Sequence, residues 1–193
     1  MQKIIHIIHG WSSHPKDGWF PWLKNELEER GFVVSIPELP DARDPKIDEW
    51  VSALGEAVGT PGENTYFVGH SLGCQAIVRY LESLPEDVKI GGAVFVAGFL
   101  KDISDHTKSV SKRRVRDEWM TRPIDLKKTK RHFDRSVAIF SDDDPFVSLD
   151  NQDKYKEELG SEIIIEHNKG HISGKMGTFE LPSALEAIIK ITG

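Results

Sequence analysis

The sequence predicts an α/β fold built on a mostly parallel sheet, and three observations carry that prediction. Short apolar runs alternate with longer stretches of helical periodicity along the chain. The runs are β-branched and continuous rather than alternating, which suits strands covered on both faces. Glycine and proline punctuate the junctions between the two kinds of segment.

Residues 3–8, KIIHII, form the first strand and end at His9-Gly10. Residues 19–30 place Phe20, Leu23 and Leu27 on one helical stripe, which Gly31 stops. Residues 32–36, FVVSI, read as a second strand closed by Pro37 and Pro40. Residues 46–58 are an amphipathic helix ending near Gly59 and Pro61. The third strand is 65–68, TYFV, followed by a helix over 72–83. Strands at 92–97, 136–140 and 162–166 complete a set of six, with helices expected over 148–158 and 179–191. Residues 100–131 break the rhythm. They are polar, and they read as a helical insertion lying over one edge of the sheet.

The chain has 193 residues, a net charge of −6 and a pI near 5.8. That length fits a single domain over 1–193. The acidic balance argues against a nucleic-acid partner. No run approaches the ~18 apolar residues of a membrane span, so no membrane partner is expected. The N-terminal apolar run is too short for a signal peptide and reads as a strand. One cysteine, Cys74, excludes an intrachain disulfide. Together these features lead to the expectation of a cytoplasmic protein.

The chemistry centres on YFVGHSLGCQ, residues 66–75, where Ser71 stands between Gly69 and Gly73. The G-x-S-x-G pattern follows a strand and precedes a helix. Such a sharp turn lifts a serine hydroxyl above the sheet, and side chains at the glycines would collide with the strand–helix packing. Ligands of open parallel sheets gather beyond the strand carboxyl ends, where Ser71 lies. The Leu72 N–H opens a helix, has no intrahelical partner, and is an oxyanion-hole candidate.

A serine nucleophile needs a base, and the base needs an orienting group. After the fifth strand come Asp142, Asp143 and Asp144; after the sixth comes HNKGHISGK with His171. The order serine, acid, histidine fits this kind of sheet. Asp144, before Pro145, is preferred as the acid, with Asp143 second. The surplus carboxylates read as a solvated turn capping the next helix. His167 competes with His171, whose flanking glycines let its loop reach over the sheet. The loop after the first strand, HGWSS, offers the Trp11 N–H as second oxyanion donor, with His9 orienting the loop.

The motifs HGWSS, WFPWL, VGHSLG, DDDPFV and KGH together resemble the small hydrolases of the retinoblastoma-binding serine hydrolase family. The resemblance implies a minimal α/β-hydrolase of about six mostly parallel strands with helices on both faces. It implies Ser71 as nucleophile, Asp144 as acid and His171 as base. It also implies a serine hydrolase active on small esters, with carboxylesterase activity foremost. The alternative it raises is a protein-binding module on a hydrolase scaffold, and so a protein partner.

Trp11, Trp19 and Phe99, with Phe20 and Trp22, are candidates for walling an apolar acyl pocket, against ordinary core packing. The basic run KSVSKRRVRDEW at 108–119 reads as a solvated helix face. Cys74 lies one helical turn past Ser71 and reads as a small buried residue. His6, His9 and His14 match no closed zinc spacing, so neither a metal nor another cofactor is expected.

Overall fold

A computed structural model describes residues 2–101, 103 and 110–193. Six strands form one sheet in the order β2-β1-β3-β4-β5-β6: β1 Ile4–Ile8, β2 Val33–Ser35, β3 Thr65–His70, β4 Gly92–Val96, β5 Ser136–Ser141 and β6 Glu162–Glu166. Every neighbouring pair is parallel, with Ile8 beside Gly69 and His70 beside Val96 at the carboxyl ends. The chain runs outward from β1 to β2, then returns to β3 on the other side. The β1/β3 boundary is therefore the switch point, where a parallel sheet opens a crevice beyond its strand ends.

Alternation along the strands sends side chains to two cores. Ile5, Ile7, Val68, Val94, Val96 and Ile139 face α1 (Phe20–Glu28) and α7 (Pro182–Thr192). Ile8, Phe67, Phe95 and Phe140 pack with α2 (Ile47–Val58), α3 (Leu72–Ser83) and α6 (Asn151–Leu159). The expected stripe of Phe20, Leu23 and Leu27 is the buried face of α1. Among the described residues no helix is long and apolar enough to cross a membrane.

The insertion corrects one expectation. Its helices, α4 (Val110–Thr121) and α5 (Leu126–Lys130), do not lie over a sheet edge. Val115 and Trp119, four apart on α4, are 2% and 1% exposed and enter the core beside α2 and α3. The Trp119 indole N–H donates to Pro45 O at 3.0 Å. Arg79 of α3, itself buried, donates to the carbonyls of Trp119, Arg122 and Pro123. Burial holds this guanidinium down to about 10. The basic residues of α4 are partly spent on carboxylates: Arg114 on Asp44, and Arg116 on Asp117, while Arg122 just beyond the helix pairs with Asp48. Residues 108 and 109 of the basic stretch lie outside the described residues.

Candidate active site

Ser71 sits between the last residue of β3 and the first of α3, at φ 53° and ψ −119°. That left-handed geometry is uncommon for a non-glycine residue. Two observations show why the flanking glycines are needed. A Cβ on Gly69 would lie 2.7 Å from Ile77 Cδ1 and 2.9 Å from the Cys74 backbone; one on Gly73 would lie 2.3 Å from Ile8 O and 2.6 Å from His9 O. The tight turn thus presses the start of α3 against the end of β1. Cys74 is fully buried in this packing, and burial pushes its thiol up.

Three strand ends bring their side chains together here. The Ser71 Oγ–H donates to His171 Nε2 at 2.9 Å, and His171 Nδ1–H donates to Asp144 Oδ2 at 2.7 Å. The Asp144 side chain is 2% exposed. Its other oxygen accepts the backbone N–H groups of Phe146 and Val147 at 2.8 and 3.1 Å. Both carboxylate oxygens are therefore occupied, and the side chain has no freedom to turn away from the imidazole.

The other candidates for acid and base have different work. Ser141 Oγ accepts the Lys169 N–H, Asp142 Oδ1 accepts that of Asn168, and Asp143 Oδ1 accepts that of Gly170. Side chains 141–143 thus continue the β5–β6 pairing beyond the last backbone register at Ser141 and Glu166. The His167 ring and then the Asn168 N–H hold the Asp142 carboxyl low, and the Ser141 hydroxyl, which donates to Asp143 Oδ1 at 2.7 Å, and then the Gly170 N–H do the same for Asp143. Asp142 and Asp143 do lie exposed in a turn, as expected, but the helix-capping part of that reading is corrected: their main partners lie on the loop after β6. His167 is exposed and donates to Asp142 Oδ2 at 2.5 Å, an ion pair that raises its own pKa.

The loop after β1 is fixed from beneath. The Leu39 N–H donates to His9 Nε2 at 3.0 Å, so the ring proton is on Nδ1 and is donated to Gly10 O, also at 3.0 Å. Burial lowers the His9 pKa and favours this neutral form. The Gly10 carbonyl and the Trp11 N–H belong to one planar peptide, so a hydrogen bond on the oxygen sets the direction of the N–H. Among the described residues neither the Trp11 nor the Leu72 N–H has an acceptor. A Cβ on Gly10 would stand 3.1 Å from Ser71 Cβ, which measures how closely the loop passes the hydroxyl.

A cavity of about 750 Å³ opens over Ser71, lined by Trp11, Phe99, Ile103, Phe146, Val147 and Phe179 among others. Trp11 is pinned by its indole N–H on Arg43 O, and Phe99 is 4% exposed. Trp19 also lines the cavity, with 1% of its surface exposed and its N–H committed to Ile172 O at 2.8 Å. One aromatic assignment is corrected. Trp22 packs against the α1/α7 core and is not part of the lining. Among the described residues no group of three His, Cys, Asp or Glu could hold a metal ion.

Sequence reasoning missed His70. It is 5% exposed, its neutral ring held down to about 3 by burial, and its Nε2–H donates to His171 O at 2.9 Å. The signal was its position, one residue before Ser71 in the same motif.

The family model described as serine hydrolase matches residues 5–189. The YdeN protein of Bacillus subtilis is 30% identical over 188 residues, covering 97% of this chain and 95% of that one. Its crystal structure superposes with a TM-score of 0.89 over 99% of both chains. The serine hydrolase RBBP9 of Rattus norvegicus is 24% identical over 155 residues, 80% of this chain and 77% of that one. Est1E from Butyrivibrio proteoclasticus is 14% identical, with a TM-score of 0.73 over 99% of this chain and 88% of that one, a likeness of fold.

Proposed function

Because the chain belongs to the serine hydrolase family and has the α/β-hydrolase fold, we propose that it is a carboxylesterase acting by acyl transfer through Ser71, His171 and Asp144. The observation that carries this reading is the continuous array from Ser71 Oγ to His171 Nε2 at 2.9 Å and from His171 Nδ1 to Asp144 Oδ2 at 2.7 Å, built from three separate strand ends.

In this reading Ser71 Oγ bonds to the ester carbonyl carbon while His171 takes its proton. Asp144 holds the imidazole's tautomer and stabilises the imidazolium. The N–H groups of Trp11 and Leu72 receive the oxyanion; one such donor contributes about 3–4 kcal/mol to the transition state. The carbon–oxygen bond to the alcohol breaks, and His171 returns the proton to that alcohol. Water then attacks the acyl-serine, giving its proton to His171, and the acid leaves as Ser71 regains its hydrogen. The apolar cavity beside Ser71 supports a small ester or related acyl compound as substrate.

Ser71→Ala tests the proposal. Hydrolysis of a p-nitrophenyl ester should fall at least about a thousandfold with the circular dichroism spectrum unchanged. Full turnover by the variant would refute the mechanism. A folded parent that hydrolyses no ester, thioester or amide and binds a protein instead would favour the scaffold reading.

A further inference from the structure

The turn that carries His171 is strained and held from inside the protein. Ile172, immediately after it, is fully buried at φ 46°. A β-branched residue in the left-handed region is a genuine outlier, and such conformations persist only where the surroundings enforce them. Two buried side chains supply that enforcement. The Trp19 indole N–H donates to Ile172 O at 2.8 Å, and His70 Nε2–H donates to His171 O at 2.9 Å. The two carbonyls are consecutive in the chain.

The donors form one unit, with the Trp19 and His70 rings edge to face at 6.0 Å between centroids. Trp19 stands at the start of α1, and His70 ends β3 one residue before Ser71. His70 Nδ1 is buried and has no partner among the described residues. The fold therefore tolerates an unsatisfied nitrogen while the one ring N–H is spent on the loop of the base, a loss that buried polar groups rarely incur. Of the other tethers of this turn, Met176 Sδ on the His171 N–H and Asp143 on the Gly170 N–H involve exposed side chains that water can replace. The Ile172 N–H on Lys169 O and the Lys169 N–H on Ser141 Oγ fix the start of the turn and leave the 171 and 172 carbonyls to other donors. Trp19 and His70 have no such substitute.

We propose that Trp19 and His70 are positioning residues that clamp the main chain at 171–172, keeping the His171 imidazole in line with Ser71 Oγ. The inference rests on the catalytic reading of Ser71 and His171 given above. Through His70, the strand carrying the nucleophile is tied directly to the loop carrying the base. A displacement of about 1 Å at that contact costs roughly a hundredfold in rate.

The test compares Trp19→Phe, His70→Leu and His70→Gln with the parent and with Ser71→Ala. Turnover of a p-nitrophenyl ester is measured per active site, the sites being counted by fluorophosphonate adduct mass. Trp19→Phe keeps the aromatic packing and removes the donor. Trp19→Phe and His70→Leu should each lower kcat per titrated site about tenfold to a hundredfold, with KM within about twofold. His70→Gln, whose amide N–H falls near the place of Nε2, should recover most of that loss. A Trp19→Phe enzyme within twofold of the parent per titrated site overturns the clamp, as does a His70→Gln enzyme no better than His70→Leu. If His70→Leu does not fold, Trp19→Phe decides alone. Full turnover by Ser71→Ala removes the catalytic reading and the clamp with it. An inactive Ser71→Ala beside unaffected Trp19 and His70 variants removes the clamp only.

Discussion

Gly73→Ala isolates the mechanical part of the account. The added methyl would stand 2.3 Å from Ile8 O and 2.6 Å from His9 O, whereas ordinary contact begins at 3.4 Å. Both obstacles are main-chain atoms, so α3 and the end of β1 must separate by about 1 Å. That separation moves the Leu72 N–H away from the Trp11 N–H, the two proposed oxyanion donors. A misplacement of that size costs about a hundredfold in kcat, within the range for losing one oxyanion donor. Stability changes less. Overpacking costs about 1–3 kcal/mol, while alanine for glycine in a helix returns about 1 kcal/mol. At about 2–4 °C per kcal/mol for a chain of this size, Tm falls by no more than about 8 °C. The assay is steady-state p-nitrophenyl ester hydrolysis at 25 °C with Tm by circular dichroism. Gly62→Ala is the control, because its Cβ meets only Asn64 Oδ1 at 3.4 Å. A Gly73→Ala enzyme within threefold of the parent would refute the argument that the elbow and the β1 loop are set against each other.

Other perturbations reach other links of the chain. His6 and His70 are pushed down to about 4 and about 3 by burial, below the 6.5 of an unfolded histidine. The unfolded state therefore binds more protons between those values, and stability falls as pH drops below about 6.5. From pH 6 to 5 each histidine costs roughly 1 kcal/mol; urea melts showing equal stability at both values would contradict this. His9→Leu releases the Gly10–Trp11 peptide, so kcat should fall about tenfold to a hundredfold with KM little changed; unchanged kcat would remove His9 from the oxyanion loop. Arg79→Met keeps the stem but leaves carbonyls at Trp119, Arg122 and Pro123 without their donor. It should cost roughly 2–4 kcal/mol in urea unfolding, and a loss under 1 kcal/mol would show that α4 docks without it.

Much of the fold was legible because its signals are local. The six strands announce themselves as apolar runs, and the elbow announces itself through glycine spacing. Boundaries failed where the signal is not hydrophobicity. Strand β3 continues through Gly69 and His70, past the last apolar residue at Val68, because both still pair in register with Phe95 and Val96 of β4, and Gly69 is a glycine there because it has no room for a side chain against Ile77 and Cys74. Helix α7 begins at Pro182 rather than 179, where proline fits the first turn, and Phe179 stays outside it at 61% exposure. Val115 and Trp119, which dock the insertion into the core, were hidden in a charged run. The role of Trp19 was not readable at all, since its acceptor lies 153 residues away. The aspartate triplet shows the same limit. Its composition suggested a solvated turn capping the next helix, and Asp142 and Asp143 are exposed in a turn, but what they hold are the Asn168 and Gly170 N–H groups on the loop after β6.

The most direct test of the central claim is where a fluorophosphonate attaches to the native protein. Peptide mass mapping should find one adduct, on Ser71, formed rapidly by the parent and much more slowly by His171→Ala. An adduct on another residue, or labelling of Ser71 at the same rate without the histidine, would contradict the account.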